Sequence, residues 1–293
     1  MTAILGGLGA TFAFTGTSLL IAHTTTLVPA ITIAAVAMTI GLVIVAPFAI
    51  ADGIPDGLDA ASASWLVIGG VASVAGFLCA YSALGVGQVG AVAPIVSTEG
   101  GFAAIFAFIG GEQISTPIAL SLAVIAGGVV LVARGSPGDA GFATGERSRE
   151  SVVASNAHTA LRLALGGAIM FGLGLYAIGR ASEDLPVSWV LLSPRLFGTL
   201  VVTAPLWARS KLTVPGSAWL YITAIAVLEA IGLAFYAIGA RASLAVTAVL
   251  VSQFAAFATV AAAILFHERL RRSQVAGLVT IAVGVAALSV LYG

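Results

Sequence analysis

Two stretches of the chain, each long enough to form a membrane helix, nearly repeat one another. Residues 64–85 read SWLVIGGVASVAGFLCAYSALG, and residues 218–239 read AWLYITAIAVLEAIGLAFYAIG. Each is apolar over about 20 residues, the length with which an α-helix crosses the hydrocarbon core of a bilayer. Both begin on a Trp-Leu pair, at Trp65 and Trp219, so they lie 154 positions apart. We interpret them as two copies of one transmembrane helix.

The same offset recurs along the chain, drifting only between 154 and 158. Further matched pairs are Leu8 and Leu165, Pro47 and Pro205, Ser97 and Ser252, Glu112 and Glu268, and Gly128 and Gly284. Their common order indicates one five-helix unit, duplicated. Because five is odd, the second copy must enter the membrane upside down relative to the first. Inverted repeats of this kind are typical of secondary transporters, which bind substrate near the membrane midplane.

Composition places the whole chain in a membrane. Of its 293 residues, 60% are hydrophobic and 8% are charged, with 12 basic and 12 acidic side chains. A soluble domain carries about 25% charged residues, and disordered chains are poor in apolar residues. The balanced charge gives no basic surface for nucleic acid, and the apolar runs lack the alternation of a membrane β-barrel. The sequence therefore predicts an all-α integral membrane protein.

The predicted architecture is ten transmembrane helices arranged as two inverted five-helix repeats. The repeats are residues 1–134 and 160–293, joined by a Gly-, Ser- and charge-rich linker at 135–159. Apolar runs predict helices near 3–22, 28–50, 64–85, 90–110, 117–134, 160–180, 187–207, 217–239, 244–266 and 274–291.

Two longer segments carry a family resemblance. Residues 77–115 read FLCAYSALGVGQVGAVAPIVSTEGGFAAIFAFIGGEQIS, and 233–271 read LAFYAIGARASLAVTAVLVSQFAAFATVAAAILFHERLR. Together they resemble the EamA type of the drug/metabolite transporter superfamily, with Glu112 and Glu268 in its "GE" and "xER" turns. The resemblance implies a ten-helix carrier of small metabolites, often an exporter of amino acids or related compounds. The chain departs from the family in its first helix, where Phe14-Thr15-Gly16 has neither the usual Trp nor the usual Lys nearby. In the second helix Ala37 aligns with Arg195, where the family often carries an Arg.

Three charged residues fall inside predicted helices: Glu99, Arg195 and Glu229. A charge at the centre of a membrane helix costs about 2.5–3.5 kcal/mol on insertion scales, so such residues usually face a cavity and carry function. One Arg cannot neutralise two carboxylates, which predicts that Glu99 or Glu229 exchanges a proton while Arg195 binds an anionic substrate group. A structural Arg–Glu pair between two helices is the alternative.

Six further side chains are predicted to line the same cavity, three of them polar and three aromatic. They are Thr98, Gln253 and Thr15, and Tyr81, Tyr236 and Phe14. Packing, or hydrogen bonding between helices, is the alternative for each. Glu112 and Glu268 are expected to be structural, each capping or orienting the turn into the helix that follows it.

The predicted function is secondary transport of small metabolites, amino acids or related compounds, by alternating access, with export as the direction. Transport is expected to be either proton-coupled or facilitative. The alternatives are a membrane-embedded enzyme and a structural or sensory subunit, but the sequence lacks the Ser/His, paired Asp or clustered His motifs of an enzyme. No metal or cofactor is predicted, because His23, His158 and His267 lack ligand spacing.

Charge asymmetry predicts the orientation. Nine of the 12 Lys and Arg residues lie on the face of the linker, whereas only Arg180 and Arg241 lie on the opposite face. Basic residues favour the cytoplasm, so the linker is expected inside and both termini outside, in a bacterial inner membrane. Membrane lipids, a small-molecule substrate and protons are the expected partners. Nucleic acid is not, and a monomer suffices.

Overall fold

The computed structural model describes residues 1–86, 92, 95–135, 157–209, 212–265 and 272–292, and within these ranges the regular structure is helical. The helices are α1 (Thr2–Thr24), α2 (Ala30–Asp52), α3 (Ala60–Val86), α4 (Glu99–Ile109), α5 (Thr116–Gly135), α6 (Ala157–Asp184), α7 (Val187–Gly198), α8 (Trp219–Ala240), α9 (Leu244–Val251), α10 (Phe254–Leu265) and α11 (Arg272–Tyr292). A π-helical turn, Thr199–Thr203, continues α7 into a short helix, Ala204–Ala208, and a 3₁₀ turn, Gly216–Ala218, precedes α8.

Within the described ranges the helices form ten apolar segments, as predicted. Six are long and apolar enough to cross a bilayer: Thr2–Thr24, Ala30–Asp52, Ala60–Leu84, His158–Asp184, Val187–Ala208 and Gly216–Ala240. Four are shorter: Glu99–Ile109, Thr116–Leu131, Leu244–Ala258 and Arg272–Ala287. The predicted linker falls almost wholly on residues 136–156, which lie outside the described residues together with Lys211, His267 and Glu268.

The distribution of side chains is the reverse of that in a soluble protein. Large apolar side chains point outward, among them Phe48, 65% exposed, and Leu220, 77% exposed. Polar and charged groups lie inside, including Thr11, Arg195 and Gln253. Extended apolar surface is rare on soluble monomers, so this outer surface suits contact with lipid.

Helices of one half pack chiefly on helices of the other half. Helix α1 packs on α8, α3 on α6, α2 on α7, and α5 on α11. In the last pair the same contact occurs twice. A Cβ atom on Gly128 would lie 2.7 Å from Cγ1 of Ile281, and one on Gly284 would lie 2.5 Å from Cγ1 of Ile125. Each glycine and isoleucine of one half thus contacts the matching partner in the other.

Two predicted spans are interrupted rather than continuous. Instead of a helix over 244–266, α9 ends at Val251 and α10 begins at Phe254. Instead of a helix over 90–110, a turn at Ser97–Thr98 precedes α4. Short i→i−3 bonds close both turns: Thr98 N–H donates to Ile95 O at 3.1 Å, and Gln253 N–H to Leu250 O at 3.1 Å. Hydroxyls at these positions bond local carbonyls and compete with the helical ladder, which the apolar pattern alone does not reveal.

Candidate functional site

An ion pair joins α7 to α8 inside the protein. Arg195 Nη1 donates to Glu229 Oε2 at 2.6 Å, and Arg195 is only 6% exposed. Helix α2 closes the other side of the guanidinium, since a Cβ on Gly41 would lie 3.0 Å from Arg195 Nε. That Nε–H is buried and has no partner in the described part of the chain. The pair therefore retains one unused donor, which a ligand or water must satisfy.

The backbone just after Arg195 is irregular. Pro194 lies inside α7, and the π-helical turn Thr199–Thr203 begins one residue after the end of that helix. Proline removes a backbone donor from the helical ladder, and π-turns inside helices occur frequently at functional sites. The Thr199 hydroxyl in this turn is also buried without a partner among the described residues. Arg195 Nε and the Thr199 hydroxyl, four residues apart on α7 and the turn that continues it, thus both lack hydrogen-bond partners among the described residues.

The two helix interruptions lie against each other. A Cβ on Gly100 of α4 would be 2.3 Å from Ala248 O and 2.7 Å from Ser252 Cβ, so the start of α4 contacts the end of α9. Glu99 and Gln253 immediately flank this contact in sequence. Discontinuous membrane helices that meet in this way form the substrate sites of many transporters.

Gln253 and Glu99 differ in burial, but both have unused polar atoms. Gln253 is completely buried, and neither its Oε1 nor its Nε2 has a partner in the described ranges. Glu99 is half-buried and forms no ion pair within those ranges, where the ion pairs are Arg180–Glu183 and Arg195–Glu229. An unsatisfied buried amide costs about 1–3 kcal/mol, so Gln253 is a strong candidate for contact with a ligand.

Phe14 links the helix interruption to the ion pair. Its ring stands edge-on to Phe254, the first residue of α10, with the ring centroids 6.4 Å apart. On its other side Phe14 packs against Gly232 of α8, where a Cβ would lie 2.7 Å from its ring. Gly232 follows Glu229 by three residues and so shares a helix face with it. Phe14 thus packs between the start of α10 and the face of α8 that carries Glu229.

The remaining predicted residues use their polar groups on backbone. The Thr15 hydroxyl lies 2.7 Å from Thr11 O, the Thr98 hydroxyl donates to Ile95 O at 2.6 Å, and Tyr236 Oη donates to Leu175 O at 2.8 Å. These contacts favour the packing alternative for the three hydroxyls. Tyr81 stacks on Phe77 of its own helix, with 6.1 Å between centroids, and makes no described contact with the ion pair.

Glu112 caps a different helix from the one expected. Its Oε1 accepts from the Ser243 hydroxyl at 2.6 Å and its Oε2 from Ala245 N–H at 3.1 Å. It therefore caps α9, in the other half of the chain, rather than α5, which follows it. The positive end of a helix dipole stabilises a carboxylate placed there. The position of Glu112 in the sequence predicts a cap on α5, but tertiary packing places its carboxylate at the start of α9.

Sequence reasoning did not identify a pocket at the end of the bundle formed by Glu112 and the last turns of α6 and α8. It encloses about 220 Å³ and is lined by residues including Glu112, Tyr176, Arg180, Glu183, Arg241 and Ser243. Arg180 and Arg241 had stood out only as the two basic residues of the face opposite the linker. The small number of basic residues on that face is the sequence feature that could have pointed to this pocket.

Comparisons with known proteins agree with the architecture. A family model, the EamA-like transporter family, matches residues 1–134 and 158–290. A solved crystal structure shares 20% sequence identity and superposes with a TM-score of 0.73, covering 99% of this chain and 96% of that one. At that identity the likeness concerns the fold alone. No curated protein matches the chain. Because the family model covers both halves, this chain belongs to the EamA-like transporter family of the drug/metabolite transporter superfamily, and is an integral multi-pass membrane protein.

Proposed function

We propose that this protein is a secondary transporter that moves small metabolites across the membrane by alternating access. The observation that carries the proposal is the buried Gln253 amide, which has no partner among the described residues. It lies where the interrupted helices meet, and Phe14 packs between that region and Gly232, one helical turn from Glu229 on α8. A folded protein retains such unsatisfied polar groups where a ligand completes them.

The two halves are proposed to be inverted repeats that rock against each other. Reciprocal packing of Gly128 on Ile281 and of Gly284 on Ile125 supports this arrangement. In an interface with two-fold symmetry, residue i contacts j while the equivalent of j contacts the equivalent of i. The 156-residue offset relates both members of each pair. The matching interruptions at Ser97–Thr98 and Ser252–Gln253 add a second, independent correspondence.

We infer that the substrates are amino acids or related compounds and that export is the direction. Arg195 Nε–H is an unused donor for an anionic group. Glu99 and Glu229 provide acceptors for an ammonium group, and Gln253 provides both a donor and an acceptor. The same carboxylates could carry a proton, so both coupled and facilitative transport are included. The Lys and Arg asymmetry supports an orientation with the linker inside; we propose a bacterial inner membrane as the location, and the duplicated body allows a monomer.

Counterflow in proteoliposomes tests the proposal. The purified chain is reconstituted with an unlabelled amino acid inside, and uptake of the labelled compound is followed for a panel of amino acids and nucleosides. We expect exchange of at least one class, loss of exchange in R195Q, and normal exchange in R162Q, which alters an exposed Arg at the linker end of α6. Absence of exchange for every compound would favour an enzyme or a structural subunit instead.

A pH series distinguishes the two forms of transport. If Glu99 or Glu229 carries the coupled proton, the pH dependence of uptake should flatten in E99Q or in E229Q. Uptake that varies with pH equally in both variants and in the unmodified protein would exclude proton coupling through these groups.

A further inference from the structure

The pocket at the face opposite the linker has the size of a site for one small metabolite. Its volume of about 220 Å³ is below the roughly 300 Å³ at which sites for drug-sized ligands begin. At about 30 Å³ for each water molecule, it would otherwise hold a cluster of several waters. Its walls come from three connections between helices, around Glu112, Glu183 and Arg241.

The charged groups of the pocket include donors and an acceptor that the protein leaves unused. Arg180 Nη1 pairs with Glu183 Oε1 at 2.9 Å, and both side chains are about two-fifths exposed. Arg241 donates from Nε to Ser182 O and from Nη2 to Leu185 O. In the described part of the chain, Arg180 Nη2, Arg241 Nη1 and Glu183 Oε2 form no hydrogen bond. Glu112, by contrast, uses both of its oxygens to cap α9.

The wall of the pocket is rigid. Tyr176 is 9% exposed, and its ring stands edge-on to Trp65 with the centroids 5.5 Å apart. Its hydroxyl lies so close to Gly110 that a Cβ there would approach within 2.2 Å. Arg241 and Glu112 meanwhile tie the start of α9 to the end of α6 and to the turn after α4. Arg241 and Glu112 are therefore held in place before a ligand arrives, which lowers the cost of binding.

This pocket is separate from the central region. Arg241 follows Glu229 by twelve residues, which is about 18 Å along a helix. Tyr236 lies between them on α8, is fully buried, and bonds Leu175 O of α6. The layer around Tyr236 therefore separates the pocket from the Arg195–Glu229 pair.

We propose that this pocket is a vestibule that binds a zwitterionic metabolite before or after its passage through the centre. The proposal depends on the transport function proposed above. The ligand carboxylate is bound by the free guanidinium N–H groups of Arg180 and Arg241, and its ammonium by Glu183. Two basic and two acidic side chains line the pocket, so a ligand with no net charge leaves its electrostatic balance unchanged. Anions or cations alone would match only half of its groups.

Protection of an introduced cysteine tests the vestibule without requiring transport. Cys79 is the only cysteine of the chain, so C79A provides a cysteine-free background. Ala242, which is exposed and lines the pocket, is replaced in A242C and labelled in detergent solution with a water-soluble thiosulfonate, which reaches both faces of the protein. The probes are L-alanine (a zwitterion), L-alaninamide (a cation) and N-acetyl-L-alanine (an anion). The control is S217C, at an exposed site before α8.

We expect L-alanine to slow labelling of A242C roughly fourfold at about three times its Kd, following simple site occupancy. The cation and the anion should slow it far less, and S217C should be unaffected. In the A242C background, R180Q and E183Q should each lose the protection, whereas R162Q on the same helix should retain it. The melting temperature of the unmodified chain with the same three probes provides a second readout.

Equal protection by all three probes, or by none, overturns the vestibule, as does protection that survives both R180Q and E183Q. The central variant R195Q separates the two proposals. Loss of exchange in R195Q with protection of A242C intact supports both. Protection in a chain that exchanges no solute supports a zwitterion-binding pocket but overturns both transport and the vestibule role. Exchange without protection supports transport and overturns the vestibule.

Discussion

Arg195 and Glu229 pair across the α7–α8 contact with 2.6 Å between Nη1 and Oε2. Their partnership leaves the other intramembrane carboxylate, Glu99, without an ion pair among the described residues. The two carboxylates thus have different surroundings: Glu229 is paired with an Arg, whereas Glu99 is not paired within the described part of the chain. Pairs of acids that differ in this way commonly divide roles between binding and proton transfer.

Neutralising one member of the pair should destabilise the protein more than neutralising both. We expect R195Q or E229Q to lower the free energy of unfolding by about 3 kcal/mol, because R195Q leaves the half-buried Glu229 carboxylate, and E229Q the buried Arg195 guanidinium, without its partner. The double variant R195Q/E229Q should recover much of that loss. Melting temperatures in detergent and counterflow activity provide the two readouts.

Activity decides what the pair does. If the pair acts only as a structural link, R195Q/E229Q regains exchange together with stability. If Arg195 binds the substrate, the double variant is stable and inactive, which is the result we expect.

Reciprocal packing of the halves predicts matched effects at Gly128 and Gly284. An alanine at either site drives a Cβ into an isoleucine of the facing helix, and such overpacking costs about 1–3 kcal/mol. G128A and G284A should therefore lower the melting temperature by similar amounts. The control is G127A, where a Cβ meets nothing within 4 Å.

Double variants test whether the two contacts are equivalent. G128A/I281A and G284A/I125A should show coupling energies of the same sign and similar size, as contacting residues do. Coupling in only one of the two pairs would contradict the proposed two-fold relation between α5 and α11.

Much of the fold can be predicted from the sequence because each helix that crosses a membrane requires a long apolar run. Apolar runs of sufficient length locate the helices, and the offset of 154 to 158 residues relates the halves. The interruptions at Ser97–Thr98 and Ser252–Gln253 were missed, since hydropathy averages over a run and does not register a turn made by two or three hydrogen bonds. The π-helical turn after α7 was missed for the same reason.

The sequence predicts which charged residues form the candidate site, but it does not predict which of them form an ion pair. Charge scarcity identified Glu99, Arg195 and Glu229, yet only the packing of α7 on α8 selects Glu229 as the partner. Glu112 was recognised as structural, but its target on α9 depends on contacts between residues 131 and 133 positions apart. The charged pocket, likewise, is assembled from three connections that no local pattern brings together.

The start of α3 predicts a pH-dependent contribution to stability. Asp59 Oδ1 accepts Ser62 N–H at 2.8 Å, and Asp59 N–H donates to the Ser62 hydroxyl at 2.9 Å, which forms a capping box. The bond from Ser62 N–H to the carboxylate, and then the nearby Ser62 hydroxyl, hold the pKa of Asp59 below its ordinary value of 3.8. A carboxyl whose pKa is lower when folded stabilises the fold above its unfolded pKa, and the effect disappears as pH falls through the folded value.

Melting temperatures measured from pH 6 to pH 3 check this capping interaction. D59N keeps an acceptor without a charge, so it should be less stable than the unmodified protein near neutral pH, and the two curves should converge in acid as Asp59 is protonated. D59A should be less stable throughout the range. A D59N curve parallel to that of the unmodified protein below pH 4 would show that other groups account for the acid sensitivity.

Replacing the unsatisfied Gln253 amide should stabilise the protein and abolish transport. Q253M removes a buried donor and acceptor that lack partners in the described ranges and keeps a similar volume, which predicts a gain of about 1–3 kcal/mol. The matched control is T11V, because the Thr11 hydroxyl lies 2.8 Å from Gly7 O and 2.7 Å from Leu250 O. T11V should destabilise the protein slightly and leave exchange intact. Q253M should raise the melting temperature and abolish counterflow, since substrate would meet a thioether where it requires an amide. A stable, fully active Q253M would remove Gln253 from the site, and a destabilised one would show that its amide is already bonded.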